Sequence, residues 1–357
     1  MFALEMLPAE DGDCLWLEYG DAQKPYRVLI DAGRPGTFNH LRKRIEALPR
    51  DQRHFELFII THIDADHISG ALNMLEEREA LGVTFGEVWF NGWKHLVEAS
   101  KDDELGAVQG EMLTAQLVRQ KLPWNTRFEG RAVSVPETDP LPVVDFSGLK
   151  LTLLTPSGAR LEQLMPVWEA EVIAEGLVPG KSGRKQEPTR DDELGEPSWK
   201  DLLSTPFKSD GSKANASSIS VLAEYQGCRV LLGADAYAQD LLKALKRLVG
   251  DDQKVKLHAF KLPHHGSRGN VHGELLDKLD CSLFLISSNG SRHGHPDPEA
   301  IARIIHHGQA AGEPVLYFNY ESRFNNMWKS ATRQERHHYT AHYPPHGTEG
   351  LRIELKK

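Results

Sequence analysis

The sequence predicts an α/β protein assembled from two strand-rich halves, on three observations. Short apolar runs rich in β-branched and aromatic residues, such as Phe55-Glu56-Leu57-Phe58-Ile59-Ile60 and Arg229-Val230-Leu231-Leu232, alternate with stretches of helical apolar spacing such as 238–248. Histidines and aspartates follow these runs directly, where strand ends turn back. At 357 residues and 40% apolar content, the chain can bury one large core or two modest ones.

Taken in order, 14–19 and 26–30 read as strands flanking a polar connection with Gly20 and Pro25, the second ending in Asp31-Ala32-Gly33. An amphipathic helix pattern covers 38–47. Residues 55–60 form a buried strand and 68–75 open a helix, with Thr61-His62-Ile63-Asp64-Ala65-Asp66-His67 between them. Next come a strand at 83–90, a helix at 107–121 broken by Leu122-Pro123, and a strand at 149–155 that closes the first half. Glycine, proline and charge dominate 170–214, which predicts a surface insertion whose core, 176–210, can be deleted without loss of the fold.

The second half opens with strands at 215–222 and 229–235, then a helix at 238–248. A strand at 255–262 runs into Pro263-His264-His265-Gly266-Ser267. Another, at 282–287, runs into Ser288-Asn289-Gly290-Ser291-Arg292-His293-Gly294-His295-Pro296, and Pro298 starts a helix through Ile305. The alternation of Leu351, Ile353 and Leu355 predicts a closing edge strand, and the irregular spacing of His337, His338, His342 and His346 reads as surface histidines.

Composition narrows the function classes. A net charge of −9 argues against a protein whose whole surface grips duplex backbone. No apolar run approaches the length of about 20 residues that a spanning helix needs, so no membrane partner is expected. Cys14, Cys228 and Cys281 are odd in number and far apart, which argues against a disulfide framework and for a cytoplasmic setting.

His62, Asp64, Asp66 and His67 on one strand-to-helix turn can point into a single small volume, as a cation requires of imidazole nitrogen and carboxylate oxygen. A helix-capping loop needs one acceptor rather than four such groups. This His-x-Asp-x-Asp-His pattern resembles the metal signature of the metallo-β-lactamase superfamily, His-x-His-x-Asp-His, with Asp64 where most members carry histidine. The variant is similar to the hydrolase domains associated with bacterial competence (DNA-uptake) proteins. The resemblance covers about residues 10–300, with the motifs in the family's order.

What the resemblance implies is a single domain over 1–357, a four-layered αββα sandwich of two mixed β-sheets with helices outside and the site at one edge. It implies that Asp31 supports the metal loop from behind. It also implies that Asp235, reached through Gly233-Ala234 rather than a bare Gly-Asp, bridges two metals. Asn215 stands where common members have a third histidine. His265 is the expected ligand of the histidine pair, with His264 beside it facing substrate. Gly294-His295-Pro296 matches the family, with His293 replacing the usual tyrosine, and His295 is a ligand, a proton donor or a phosphate contact. Gly12-Asp13-Cys14 resembles the family's opening strand.

The expected metal ligands are therefore His62, Asp64, Asp66, His67, Asp235 and His265, enough donors for two divalent cations. Zinc is the first expectation; the Asp64 carboxylate hardens the site and admits manganese. Such a pair acidifies water to hydroxide, with Asp66 and His295 as the catalytic side chains. Lys261, His264, Ser267, Asn289 and His293 are expected to face the substrate, with Arg268 and Arg292 flanking the ligands and Asp31 and Asn215 in support. A small-molecule or nucleic-acid phosphodiester is the expected substrate. Ester, lactone or lactam hydrolysis, and a non-catalytic binding protein on the same fold, are the alternatives.

Overall fold

Side-chain alternation along the first strands explains the layers. Leu15, Leu17, Val28, Ile30, Leu57 and Ile59 point into one core, while their neighbours Trp16, Leu29, Phe58 and Ile60 point into another. A sheet apolar on both faces must be covered on both. The computed structural model, which describes residues 1–97, 108–173 and 197–356, shows what covers it. On one side lie helices Phe38–Glu46 and Ala65–Leu81, through Leu41, Ile45, Ile68, Met74 and Leu75. On the other lies a second sheet, through Leu151, Leu153, Val221 and Val230. Helices Ala238–Val249 and Pro298–Gly308 join the same core through Leu241, Leu245, Ile301 and Ile305, completing an αββα sandwich.

The first sheet runs in the order Leu351–Lys356, Phe2–Met6, Leu15–Gly20, Pro25–Ile30, Leu57–Ile59, Val88–Trp89. The second runs Thr340–His342, Val315–Phe318, Leu283–Ile286, Ala259–Lys261, Cys228–Leu232, Ser220–Tyr225, Leu149–Thr155, Val143–Phe146. Both are mixed. Strands Pro25–Ile30 and Leu57–Ile59 are parallel, as are Cys228–Leu232, Ala259–Lys261 and Leu283–Ile286. Parallel strands put their carboxyl ends at one edge, so the turns after Ile30, Ile59, Leu232, Lys261 and Ile286 gather there. As expected, 351–356 closes an edge, paired antiparallel with Phe2–Met6.

Several elements differ from the sequence reading. Residues 215–222 are not one strand: Lys213–Ala216 is a helical turn and the strand begins at Ser220. The run at 83–90 is two short strands, Thr84–Phe85 and Val88–Trp89, around Gly86, where a Cβ would lie 2.8 Å from the Glu56 carbonyl oxygen. The run at 255–262 likewise divides into Val255–Lys256 and Ala259–Lys261. Helix Gly158–Ile173 escaped the sequence reading; it holds Pro166, which argues against a helix locally.

The expected insertion at 170–214 includes packed structure at its carboxyl-terminal end. Trp199–Ser204 is a helix capped by the Ser198 hydroxyl, which accepts from the Asp201 amide. Leu202 is 3% exposed within the main core, and Arg303 donates to the Thr205 carbonyl. Deleting 176–210 would therefore remove packed structure. Residues 174–196 lie outside the described residues. Cys14, Cys228 and Cys281 are buried and unpaired, and no helix among the described residues is long and apolar enough to cross a membrane.

Candidate metal centre

At the shared edge, backbone geometry is strained where it turns the site residues inward. Asp31, Ala234, His264 and His265 all adopt positive φ, between 45° and 56°, a region non-glycine residues rarely occupy. The His62–His67 loop is pressed against the sheet edge: a Cβ on Gly70 would lie 2.0 Å from the Ala32 carbonyl oxygen, and one on Gly12 1.9 Å from that of Asp66. Only glycine lets these backbones meet.

Three histidines have one ring nitrogen held from behind. His62 Nδ1 lies 3.0 Å from the Thr61 hydroxyl, His67 Nδ1 2.8 Å from Asp31 Oδ2, and His265 Nδ1 2.9 Å from the Ser287 carbonyl. Asp31 is itself fixed, accepting from the Thr61 amide and the Thr61 hydroxyl, each at 2.8 Å. With the proton on Nδ1, each ring presents the bare Nε2 lone pair to the site, the arrangement that suits a metal ligand.

Those Nε2 atoms meet around Asp235. Its carboxylate lies 3.7 Å from His62, 3.4 Å from His67, 3.6 Å from His265 and 3.8 Å from His264, measured to Nε2 in each case. Asp66 Oδ2 lies 3.5 Å from His265 Nε2 and 3.7 Å from His67 Nε2. Donor atoms of three triads fall within 4.8 Å of one another: His62, His67 and Asp235; Asp66, His67 and His265; Asp13, Asp235 and His265. Asp64 is more open, its side chain 40% exposed and 3.5 Å from His62 Nε2.

The donor set passes a simple test of fit. His62 Nε2, His67 Nε2, His265 Nε2, Asp235 Oδ1 and Asp13 Oδ1 are buried with no hydrogen-bond partner among the described residues. Each such group costs about 1–3 kcal/mol when left unmade, and a cation satisfies them together. The charges are already polarised. Burial opposes ionisation of Asp66 and Asp235, yet the facing imidazoles hold both carboxyls well below their usual range. Burial likewise opposes a charge on His67, and Asp235, Asp31 and Asp66 outweigh it and raise its pKa.

Other expected site residues do something different. Lys261 is fully buried, 2.7 Å from Asp13 Oδ2, and so cannot face substrate. The Ser267 hydroxyl accepts from the Gly269 amide, and Asn289 Oδ1 accepts from the Ser291 amide; both close their own turns. Arg268 is ion-paired with Glu299 at 2.8 Å. Asn215 donates to Asp210 Oδ2 at 2.7 Å and sits beside the His264 ring. His264 lies between the cluster and solvent, its Nδ1 3.0 Å from Asn270 Oδ1 and 3.2 Å from Asp210 Oδ2. Burial disfavours its charge, but Asp235 and Asp210 push its pKa up to about 10. His295, in none of the three triads, stands 5.2 Å from the His264 ring. Burial, then the charges of His264 and His265, press its pKa well down. His293 is exposed at the rim, its ring 5.8 Å from that of His295.

Sequence reasoning gave Asp13, Thr61, Asp210 and Asn270 no role in the site. An aspartate beside Gly12 and a lone lysine in an apolar strand were the available signals for Asp13 and Lys261. Asp210 lay hidden in a charge-rich segment.

Histidines and aspartates at one edge of an αββα sandwich define the metallo-β-lactamase fold. The family model of the metallo-beta-lactamase superfamily matches residues 17–157, less than half of the chain. No curated protein matches the chain. Among solved structures it is similar to the metallo-beta-lactamase fold protein YhfI from Bacillus subtilis, 10% identical over 99% of this chain and 98% of that one, TM-score 0.41. It is also similar to a diphosphatase of the PhnP family, 11% identical over 100% and 98% of the two chains, TM-score 0.43. The diiron β-hydroxylase CmlA from Streptomyces venezuelae is 13% identical over 88% of this chain and 52% of that one, TM-score 0.42. The chain thus spans about half the length of CmlA.

Proposed function

We propose that this protein is a metal-dependent hydrolase of phosphodiester bonds. The observation that carries the hydrolase reading is the convergence of three buried, unpaired imidazole Nε2 atoms on the Asp235 carboxylate. In this reading His62, Asp64 and Asp235 would hold one cation, and Asp66, His67 and His265, with Asp235, would hold a second. Two divalent cations so held supply an acidified water and fixed positive charge opposite the charge that develops on the substrate.

The protein's own groups do the rest. Asp31 and Thr61 keep the histidine rings oriented. Asp66, held ionised by the facing imidazoles, would orient the attacking water as a hydrogen-bond acceptor. His264, open to solvent and held by Asp210, is placed to meet the leaving group. The phosphodiester reading draws on Arg292 and His293, exposed on the loop that carries His295. It draws also on Asp64 and Asn215, which are the residues of the competence-type hydrolase branch. Zinc suits the imidazoles, and manganese the carboxylates.

The test is elemental analysis of purified protein with a paired assay on bis(p-nitrophenyl) phosphate and p-nitrophenyl acetate. About two metals per chain and cleavage of the phosphodiester are expected. Cleavage of the acetate alone would replace this substrate class with carbonyl esters, and no cleavage of either would leave a binding protein.

A further inference from the structure

We propose that Arg34, locked by Asp11, and Arg292 form a clamp at the rim of the metal centre that grips a phosphate oxygen of the substrate. The inference deepens the phosphodiester reading and rests on it.

Arg34 follows the Asp31-Ala32-Gly33 turn, whose backbone is tied into the site. The Gly33 amide donates to the Asp13 carbonyl, and the Gly33 carbonyl accepts from the Gly70 amide of the metal-loop helix. The Arg34 side chain is then fixed by a bidentate pair: Nε lies 2.6 Å from Asp11 Oδ1 and Nη2 2.6 Å from Asp11 Oδ2. Asp11 is 2% exposed, and the next residue, Gly12, lies against the backbone of the ligand residue Asp66. Burial works against the charge on Arg34, and the carboxylates of Asp11 and Asp66 outweigh it. The remaining nitrogen, Nη1, makes no hydrogen bond among the described residues, so this guanidinium keeps donors to spare.

Arg292 reaches the same carboxylate from the other loop, its Nε 3.8 Å from Asp11 Oδ2 and its side chain 52% exposed. The two loops are joined where the Asn289 amide donates to the Glu10 carbonyl at 2.8 Å. Phe324 packs beneath the Arg292 loop against Gly290 and Gly294. Two guanidiniums share the Asp11 carboxylate, and among the described residues Nη1 of Arg34 and the exposed face of Arg292 still lack an acceptor. A phosphate oxygen supplies one, and the planar fork of arginine matches phosphate geometry. An arginine fixed by a buried acid beside an exposed one is suited to catching an anion and then holding it.

The experiment uses the metal-loaded full chain, with inorganic phosphate as the calorimetric probe and Arg34→Lys and Arg292→Gln as variants. Each is expected to weaken phosphate binding about tenfold, since a hydrogen bond to a charged group is typically worth that much. Each should raise KM for bis(p-nitrophenyl) phosphate by a similar factor while kcat changes less than about twofold and p-nitrophenyl acetate turnover is unaffected. A cyclic mononucleotide and a short single-stranded oligonucleotide are then used as competitors. Displacement of phosphate by either supports the clamp, the tighter one naming the source of the phosphate, and displacement by neither overturns it. Wild-type affinity for phosphate in both variants, at unchanged metal content, also overturns it. If Arg34→Lys does not fold, the exposed Arg292 decides the matter alone. A protein that cleaves only the acetate while its variants lose phosphate affinity would sink the phosphodiester reading and keep the clamp.

Discussion

The Lys261 ammonium lies 2.7 Å from Asp13 Oδ2, and neither side chain is more than 1% exposed. Lys261 ends a strand of the second sheet and Asp13 precedes a strand of the first, so this ion pair joins the two sheets beneath the candidate metal centre. Asp13 Oδ1 lies 3.7 Å from His265 Nδ1, which ties the pair to a candidate ligand. Lys261→Met leaves a buried carboxylate uncompensated and should cost about 3–5 kcal/mol, whereas Lys261→Met with Asp13→Asn should recover much of it. Urea midpoints measure both. A single variant less than about 1 kcal/mol below wild type would show that the pair does not hold the sheets.

Asp31 fixes the His67 proton on Nδ1. Asp31→Asn offers an amide N–H to Thr61 or His67 in place of an acceptor, which releases the ring and favours the tautomer that protonates Nε2. Metal retained after dialysis should fall about 10–100-fold in affinity while circular dichroism is unchanged. Undiminished metal content in a folded variant would remove Asp31 from its supporting role.

His62→Ala and Asp66→Asn should each lower turnover by about a thousandfold or more and leave the chain folded, since neither side chain belongs to the apolar cores. Steady-state rates with metal supplied in excess are the measurement. Near-normal rates in either variant would dismiss the assignment.

His95 carries a pH dependence away from the site. Its Nδ1 accepts from the Gly92 amide at 3.1 Å and its Nε2 lies 3.1 Å from the Gly130 carbonyl, which fixes a neutral ring. Burial, then the charge of Lys94, lowers its pKa to about 4. The unfolded chain therefore takes up this proton first as the pH falls. The stability contribution is complete above about pH 6.5, is lost between there and pH 4, and amounts to about 3 kcal/mol. His95→Gln does not titrate, so its stability deficit should shrink from pH 7 to pH 4.5. An equal deficit at both pH values, by urea unfolding, would contradict this.

Legibility in the sequence followed the range of the interactions. The strand at 57–59, the helix after it and the His62–His67 turn could be read because strand, turn and candidate ligands lie within a dozen residues. The helix at 158–173 could not, since Pro166 contradicts it locally and packing overrides that preference. Lys261 read as a phosphate contact because a lysine at a strand end invites that reading, and its true partner lies 248 positions earlier. The helix at 199–204 was hidden by composition, its anchoring residues Trp199, Leu202 and Leu203 following a long run rich in charge, glycine and proline.

By itself the amino-acid order determined the α/β class and the chemical kinds of side chain waiting at each strand end, because apolar period and ligand type are local properties. Only the tertiary structure decided which polar atoms are spent on one another, as in Lys261 with Asp13, and which are left unpaired around Asp235. The reason is that pairing depends on which strand ends the parallel sheet brings to one edge, and proximity in space across 200 residues of chain is set by the packing of the two sheets rather than by any local preference.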